Sequence, residues 1–243
     1  MPDHSGRLIV RHSLRNRFGL LFVTLLLAIL LPTIITPEMP GIEVLVTVTV
    51  TGVLLSGLYA VAENKRHVLI GLIFLVPAIV LEWLYHGLQV RAIEILSAAF
   101  SILFFFYLAR LTLLFVLSTR RVDASIVFAA ICVYLLLGYT CGYAYYLIEA
   151  LLGDLDTIAT VTGNLGYSSP HTEAVYFSFV TLTTLGYGDI APLAPLTRSL
   201  AIVEAVAGQL FLVTLIARLV ALHIIHSSQE EDDSRPRAAD QSA

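Results

Sequence analysis

The chain has 243 residues, of which 58% are hydrophobic and 13% are charged, and its formal net charge at pH 7 is −4. Average soluble domains carry about 25% charged residues, so this chain has too few charges to cover a water-facing surface. The mean hydropathy is +0.86, and several apolar runs approach the roughly 20 residues that span a bilayer. The composition therefore predicts an integral membrane protein. It argues against a disordered chain, a disulfide-rich secreted domain and a protein that binds nucleic acid.

The N-terminal segment, residues 1–17, is basic. Arg7, Arg11 and Arg15 recur every four residues, and an apolar stripe with the same spacing runs beside them. Two interpretations fit this pattern. It is either a helix that lies on an anionic membrane surface or a solvated basic tail that only sets the topology.

Six long apolar runs are predicted to be membrane helices, because lipid tolerates only helices or closed barrels and the ten-residue alternation of a barrel is absent. The runs cover residues 18–35, 44–62, 68–85, 93–118, 124–152 and 197–226. The fold class is therefore an all-α membrane protein, with a four-helix transmembrane domain at 18–118 and a second domain at 124–226. The polar, acidic residues 227–243 predict a disordered cytoplasmic tail.

The basic residues predict the orientation of the chain in the plasma membrane. If six helices alternate in direction, most of the Lys and Arg residues fall on one side, which is the cytoplasmic side. Both termini are then cytoplasmic, and an odd number of spans would break the agreement. The residues that define this side are Arg7, Arg11, Arg15, Arg17, Lys65, Arg66, Arg120, Arg121, Arg235 and Arg237.

A short helix is predicted between the fifth and sixth runs, over residues 170–183. Ser169 is a candidate N-cap and Pro170 a candidate first helical residue. About a dozen residues are too few to span a bilayer, so this segment must enter the membrane and return. Non-helical backbone at that depth is tolerated only where it lines a water-filled path or is buried in protein.

The candidate ion-binding segment follows directly and consists of Thr184, Leu185, Gly186, Tyr187 and Gly188. The two glycines allow backbone angles that other residues avoid, so successive carbonyls can point to one side while the side chains of Leu185 and Tyr187 pack away from the path. Copies of this segment around an axis would form rings of oxygens that replace the hydration shell of a cation. With Val in place of Leu, this motif is the potassium selectivity filter.

Residues 124–226 resemble the tetrameric potassium channels of the bacterial type with one pore loop. The resemblance implies a homotetramer in membrane lipid that conducts K⁺ passively. K⁺ would bind at Thr184, Leu185, Gly186 and Tyr187, and no other cofactor is implied. Further positions match the family pattern: Thr183, Asp189, Tyr176 and Phe177 as filter support, and Gly208 as a candidate gating hinge.

Two positions depart from the family pattern or stand apart from it. Val180 replaces a glutamate that in some members hydrogen-bonds the aspartate behind the filter, so we expect no such link to Asp189 from this position. Glu204 is an ionisable residue within a membrane helix, which marks it as a candidate functional residue. It could face the cavity, pack behind the filter near Thr183, or serve as a hydrogen-bonded structural acid.

Helix packing and voltage sensing can also be read from the sequence. The small residues Gly138 and Gly142 favour close packing of the fifth helix against the sixth. The fourth run contains Arg110 as its only basic residue, so its helix is predicted to be a structural element or a weak voltage sensor. Glu82 is a candidate ion-pair partner for Arg91.

Three other functions remain as alternatives. A secondary transporter usually has its broken helix twice, in two related halves, whereas this chain has one glycine-rich break. A non-conducting regulatory subunit would not need an intact filter motif. A membrane enzyme could use His171 and Glu173 as metal ligands, but the sequence places no third ligand to join them. The sequence therefore predicts a channel and no enzymatic activity.

Overall fold

The computed structural model describes residues 4–34, 41–62, 64–119, 124–152, 158–160 and 170–234. These residues form long helices, one short helix and two very short strands, so the protein is an all-α membrane protein. The helices are α1 (His4–Ile34), α2 (Ile42–Ala60), α3 (Lys65–Leu88), α4 (Arg91–Ser118), α5 (Ala124–Leu152), α6 (Pro170–Leu182) and α7 (Pro195–Ser234). The strands are β1 (Ile158–Thr160) and β2 (Ile190–Pro192).

Four helices among the described residues are long and apolar enough to cross a membrane: α3, α4, α5 and the part of α7 from Pro195 to Arg218. Helices α1 and α2 contain shorter apolar stretches, Arg17–Pro32 and Val44–Ala60. The helical runs predicted from the sequence are thus all present as helices. The count of six membrane crossings stays a prediction, as does the orientation, since Arg120, Arg121, Arg235 and Arg237 lie outside the described residues.

Helix α5 is the centre of the structure and packs against α1, α4, α6 and α7. Aromatic rings fill its contact with α4, where Phe105 lies 5.5 Å from Tyr139 and 5.4 Å from Tyr143, measured between ring centroids. All three side chains are fully buried. On α3, by contrast, many apolar side chains are exposed, as expected of a surface that faces lipid; they include Leu69, Ile73, Val76 and Val80.

Both ends of the chain are more helical than the sequence predicted. Helix α1 begins at His4, so the basic N-terminal segment continues into the first long helix, which favours a helix over a solvated tail. Helix α7 continues to Ser234. The prediction of disorder is therefore wrong for residues 227–234, which include the good helix formers Gln and Glu and extend an existing helix without a new nucleation step. Residues 235–243 lie outside the described part of the chain.

The predicted ion pair between Glu82 and Arg91 is also wrong. The Nε atom of Arg91 donates a hydrogen bond to the carbonyl oxygen of Ala150 at 2.7 Å. Glu82 instead accepts a hydrogen bond from Ser97 Oγ at 2.6 Å. Arg91 thus joins α4 to the end of α5, where helix carbonyls have no partner within their own helix, and Glu82 joins α3 to α4.

A second arginine joins α7 to the end of α4. The guanidinium of Arg218 donates to the carbonyl oxygens of Val116 at 2.5 Å, Leu117 at 2.6 Å and Thr119 at 2.9 Å. The first two carbonyls belong to the last turn of α4 and the third to the residue that follows it, where carbonyls have no partner within the helix. A cation is also favoured there by the helix dipole, so Arg218 acts as a C-terminal cap supplied by another helix.

Candidate functional site

Helix α6 is the short helix that the sequence predicted, and it begins at Pro170 as expected. Its 13 residues give a length of about 20 Å at 1.5 Å per residue, less than the roughly 30 Å of the hydrocarbon core. It contacts α5 on one side and α7 on the other. Proline is preorganised for the first helical position, and Glu173 in the first turn complements the helix dipole there. Ser169, the predicted N-cap, lies outside the described residues.

Two glycines of α5 bring this helix close. A Cβ atom on Gly138 would lie 2.7 Å from Cε1 of Phe179, and one on Gly142 would lie 2.9 Å from Cα of Val175. Both neighbours belong to α6. The prediction that these glycines pack against the sixth long helix is therefore wrong, because the short helix occupies the space between α5 and α7.

The backbone after α6 has an unusual geometry. The φ angles of Thr184, Gly186 and Gly188 are 58°, 55° and 74°, so every second residue is left-handed. This is easy for glycine but rare for a β-branched residue such as Thr184. The amides of Leu185 and Gly186 both donate to the carbonyl of Val180, at 2.9 and 3.3 Å. Strained backbone of this kind persists where the surroundings enforce it and is concentrated at functional sites.

All residues from Thr183 to Gly188 are exposed in the single chain. The exposed fractions of Leu185 and Tyr187 are 52% and 68%. These two side chains therefore have little packing within the chain, and the prediction that they pack away from an ion path requires neighbouring copies. The five motif residues thus form one surface that a single chain leaves open.

The predicted support residues lie behind this segment. The hydroxyl of Tyr176 donates to Oδ2 of Asp189 at 2.6 Å, and the amide of Ile190 donates to Oδ1 at 3.0 Å. A link between α6 and Asp189 therefore exists, although the residue at Val180 cannot provide it. Phe177 points elsewhere and packs edge-on against Tyr145, with ring centroids 4.9 Å apart. Sequence reasoning expected support from Tyr176 and missed its bond to Asp189.

A small sheet holds the outer end of the segment. Strand β1 pairs antiparallel with β2, with Ile158 opposite Pro192 and Thr160 opposite Ile190. Because β2 begins directly after Asp189, this pairing fixes the chain as it leaves the motif. Sequence reasoning missed both strands, since three residues are too few to show an alternating pattern.

Glu204 is buried, with an exposed fraction of 1%. Tyr145 on α5 donates its hydroxyl to Oε2 at 2.7 Å. The hydroxyl oxygen of Ser178 on α6 lies 2.5 Å from Oε1 of Glu204. This serine oxygen also lies 2.7 Å from the carbonyl oxygen of Gly138. Of the alternatives for this residue, the structure thus favours a hydrogen-bonded acid packed behind α6 over one that faces a cavity.

Gly208 lies against the end of α6. A Cβ atom there would be 2.7 Å from Cδ1 of Leu182 and 2.9 Å from its carbonyl oxygen. That carbonyl also accepts a hydrogen bond from the hydroxyl of Tyr134 at 3.1 Å. Helix α7 is continuous through this position, so the glycine permits a close approach; its function as a gating hinge stays a prediction.

The histidine considered as a metal ligand is packed among rings. The ring centroid of His171 lies 4.6 Å from that of Tyr143 and 5.5 Å from that of Tyr146. Burial lowers the pKa of His171 to about 4. Within the described part of the chain, no group of three or more His, Cys, Asp or Glu residues is placed to hold a metal ion.

Comparison with known proteins points to the same segment. Residues 131–223 match the family model described as ion channel. The match covers less than half of the chain and contains α6, the motif and Gly208. An all-α membrane protein with an ion channel domain, rather than an enzyme, accounts for both the fold and this match.

Two plant proteins share a short similar stretch. Two-pore potassium channel 5 of Arabidopsis thaliana is 47% identical over 51 residues, which are 21% of this chain and 12% of that protein. Two-pore potassium channel 4 of the same plant is 45% identical over 53 residues, or 22% of this chain and 18% of that protein. The chain thus matches only a small part of either relative.

Proposed function

We propose that the protein is a potassium channel that conducts K⁺ passively across the plasma membrane. The observation that carries the proposal is the left-handed backbone at Thr184, Gly186 and Gly188. It occurs in the motif Thr-Leu-Gly-Tyr-Gly, directly after a helix too short to span the membrane. Both named relatives are potassium channels, which supports potassium as the permeant ion.

The conducting unit in this proposal is a homotetramer in membrane lipid. One chain supplies one pore loop and leaves the motif exposed, so a closed ring of four copies is needed to surround an ion. Helix α7 supports this with a largely exposed apolar surface that further copies and lipid would cover. Its exposed residues include Ile202, Val206, Leu210, Val213 and Ile216.

The orientation and the voltage response complete the proposal. Helices α1–α5 and α7 each cross the membrane, and both termini lie in the cytoplasm. Arg110 is exposed on α4, and Arg91 is held by the end of α5. With so little charge that could move, α1–α4 respond weakly or not at all to voltage.

The test is a planar-bilayer recording of purified protein in asymmetric KCl and NaCl. We expect a reversal potential close to that for K⁺, and block by barium. Replacing Gly186 by alanine should abolish conduction, because an L-residue disfavours a φ of 55°.

The matched control is Gly52→Ala in α2, where an added Cβ would have nothing within 4 Å. This variant should conduct like the wild type. Equal permeability to K⁺ and Na⁺ would contradict the filter assignment, and a well-assembled protein without current would instead indicate a non-conducting subunit.

A further inference from the structure

Glu204 occupies a position where a charge is expensive. It lies in the membrane-crossing part of α7 and is almost fully buried, and an unpaired carboxylate in such surroundings carries a large desolvation cost. The titratable groups that interact with it are Tyr145, Cys141 and Tyr134, all on α5. Helix α6 contributes the hydroxyl of Ser178. None of these groups is a base that would balance a negative charge.

The close contacts of Ser178 bear on which atoms carry protons. Its oxygen lies 2.5 Å from Oε1 of Glu204 and 2.7 Å from the carbonyl oxygen of Gly138. A serine hydroxyl has one hydrogen, a backbone carbonyl only accepts, and an ionised carboxylate only accepts. If Glu204 were ionised, one of the two close contacts would join two acceptors without a hydrogen between them.

A neutral acid resolves the conflict. With a proton on Oε1, Glu204 donates to Ser178, and Ser178 donates to the carbonyl of Gly138. Tyr145 donates to Oε2. Every close contact then has one hydrogen, and the bonds form a relay that joins α5, α6 and α7, in line with the rule that buried polar groups are hydrogen-bonded.

We propose that Glu204 is a neutral carboxylic acid that positions α6, and through it the ion-conducting segment, by holding Ser178 in this relay. The proposal rests on the proposed channel function. The mechanical link is short: Ser178 lies two residues before Val180, whose carbonyl accepts the amides of Leu185 and Gly186. A shift of α6 at Ser178 would therefore move the backbone of the motif.

The proposal predicts how conduction depends on pH. In the relay, Ser178 uses its single hydrogen to donate to the carbonyl of Gly138, so the hydrogen between Oε1 and Ser178 must come from Glu204. When Glu204 loses its proton to water, that hydrogen is gone and the relay is broken. Conduction should therefore fall as the pH rises, while acidic pH leaves the relay intact.

Substitution at Glu204 separates a neutral acid from a charged one. Glu204→Gln can donate its amide to Ser178 and accept from Tyr145, which is the hydrogen-bond pattern of the neutral acid. We expect this variant to keep most of the K⁺ flux of the wild type, because it preserves the hydrogen-bond pattern, and to lose the alkaline fall. Glu204→Leu has a similar size and makes neither bond, so its K⁺ flux should fall about tenfold.

The measurement is K⁺ flux from liposomes between acidic and alkaline pH, for the wild type and both variants, with Glu94→Gln on α4 as the control. The control should keep the alkaline fall of the wild type. The proposal is overturned if Glu204→Gln is as defective as Glu204→Leu, or if Glu204→Leu conducts like the wild type.

An infrared difference spectrum tests the protonation of Glu204 independently of whether the protein conducts K⁺. The carbonyl band of a protonated carboxylic acid should be present in the wild type and lost in Glu204→Gln, whether or not the protein conducts. Absence of that band difference overturns the neutral acid. A band difference without K⁺ flux in any variant would support the neutral acid and contradict the channel.

Discussion

Replacing Gly208 by alanine would distinguish a packing role from a hinge role for this glycine. The added Cβ would lie 2.7 Å from Cδ1 of Leu182 and 2.9 Å from its carbonyl oxygen. The Leu182 side chain is fully buried and has little room to turn away, and its carbonyl is backbone and is held by Tyr134. Overpacking of this kind costs about 1–3 kcal/mol, and the better helix propensity of alanine offsets up to about 1 kcal/mol. The resulting range is about 0–3 kcal/mol, and we expect a net loss near its middle, about 1–2 kcal/mol per subunit.

The assay is thermal unfolding of the purified assembly in detergent. In the proposed tetramer the four copies together would lose about 4–8 kcal/mol, which is a clear fall in Tm. The control is again Gly52→Ala, whose added Cβ meets nothing within 4 Å. It should leave Tm unchanged or raise it slightly.

A double substitution makes the test specific. Leu182→Ala in the background of Gly208→Ala removes the side-chain clash, so the two changes should be coupled by about 0.5–3 kcal/mol. A hinge predicts the opposite pattern, with an unchanged Tm, a changed open probability and no coupling to Leu182. That pattern would refute the packing argument.

Three further predictions follow from the site and from α4. The wild type should show shallow or absent voltage dependence, because full transfer of Arg110 in each of four subunits gives only about 9 kcal/mol per 100 mV, and Arg110→Gln should change the limiting slope little; a wild-type slope worth a dozen charges, or loss of a voltage response in the variant, would contradict this. Tyr176→Phe removes the hydrogen bond to Asp189 and should speed the decay of current during sustained opening, while a decay like that of the wild type would argue against support from this bond. Exchange of K⁺ for Na⁺ should lower the Tm of the assembly, since a bound ion stabilises by about 2.7 kcal/mol at 100 times its Kd; the difference should vanish in Gly186→Ala, and its persistence there would place the ion elsewhere.

The sequence was most informative where local chemistry is strict. The short helix begins at Pro170 because proline suits the first helical position. The motif that follows it contains the left-handed φ angles of Gly186 and Gly188 that its glycines indicated. The long helices followed from apolar runs, since their length is set by the bilayer.

The sequence was least informative about which residues contact each other across different helices. Gly138 and Gly142 indicated close helix packing but did not identify the neighbouring helix. A small residue permits any helix to pack closely against it. The relay of Glu204 joins residues that are 59 and 26 positions apart in the chain, and no local pattern connects Tyr145 and Ser178 to it. Pairings of this kind depend on the tertiary arrangement.

The cap that Arg218 places on α4 ties α4 to α7. Its planar guanidinium forms three bonds, and such a fork fixes orientation as well as distance. A tilt of α4, such as one imposed by a thinner bilayer, would either carry the Arg218 region of α7 with it or break these hydrogen bonds. Arg218 is therefore a contact through which a change in the tilt of α4 would reach α7 without any charge moving across the membrane.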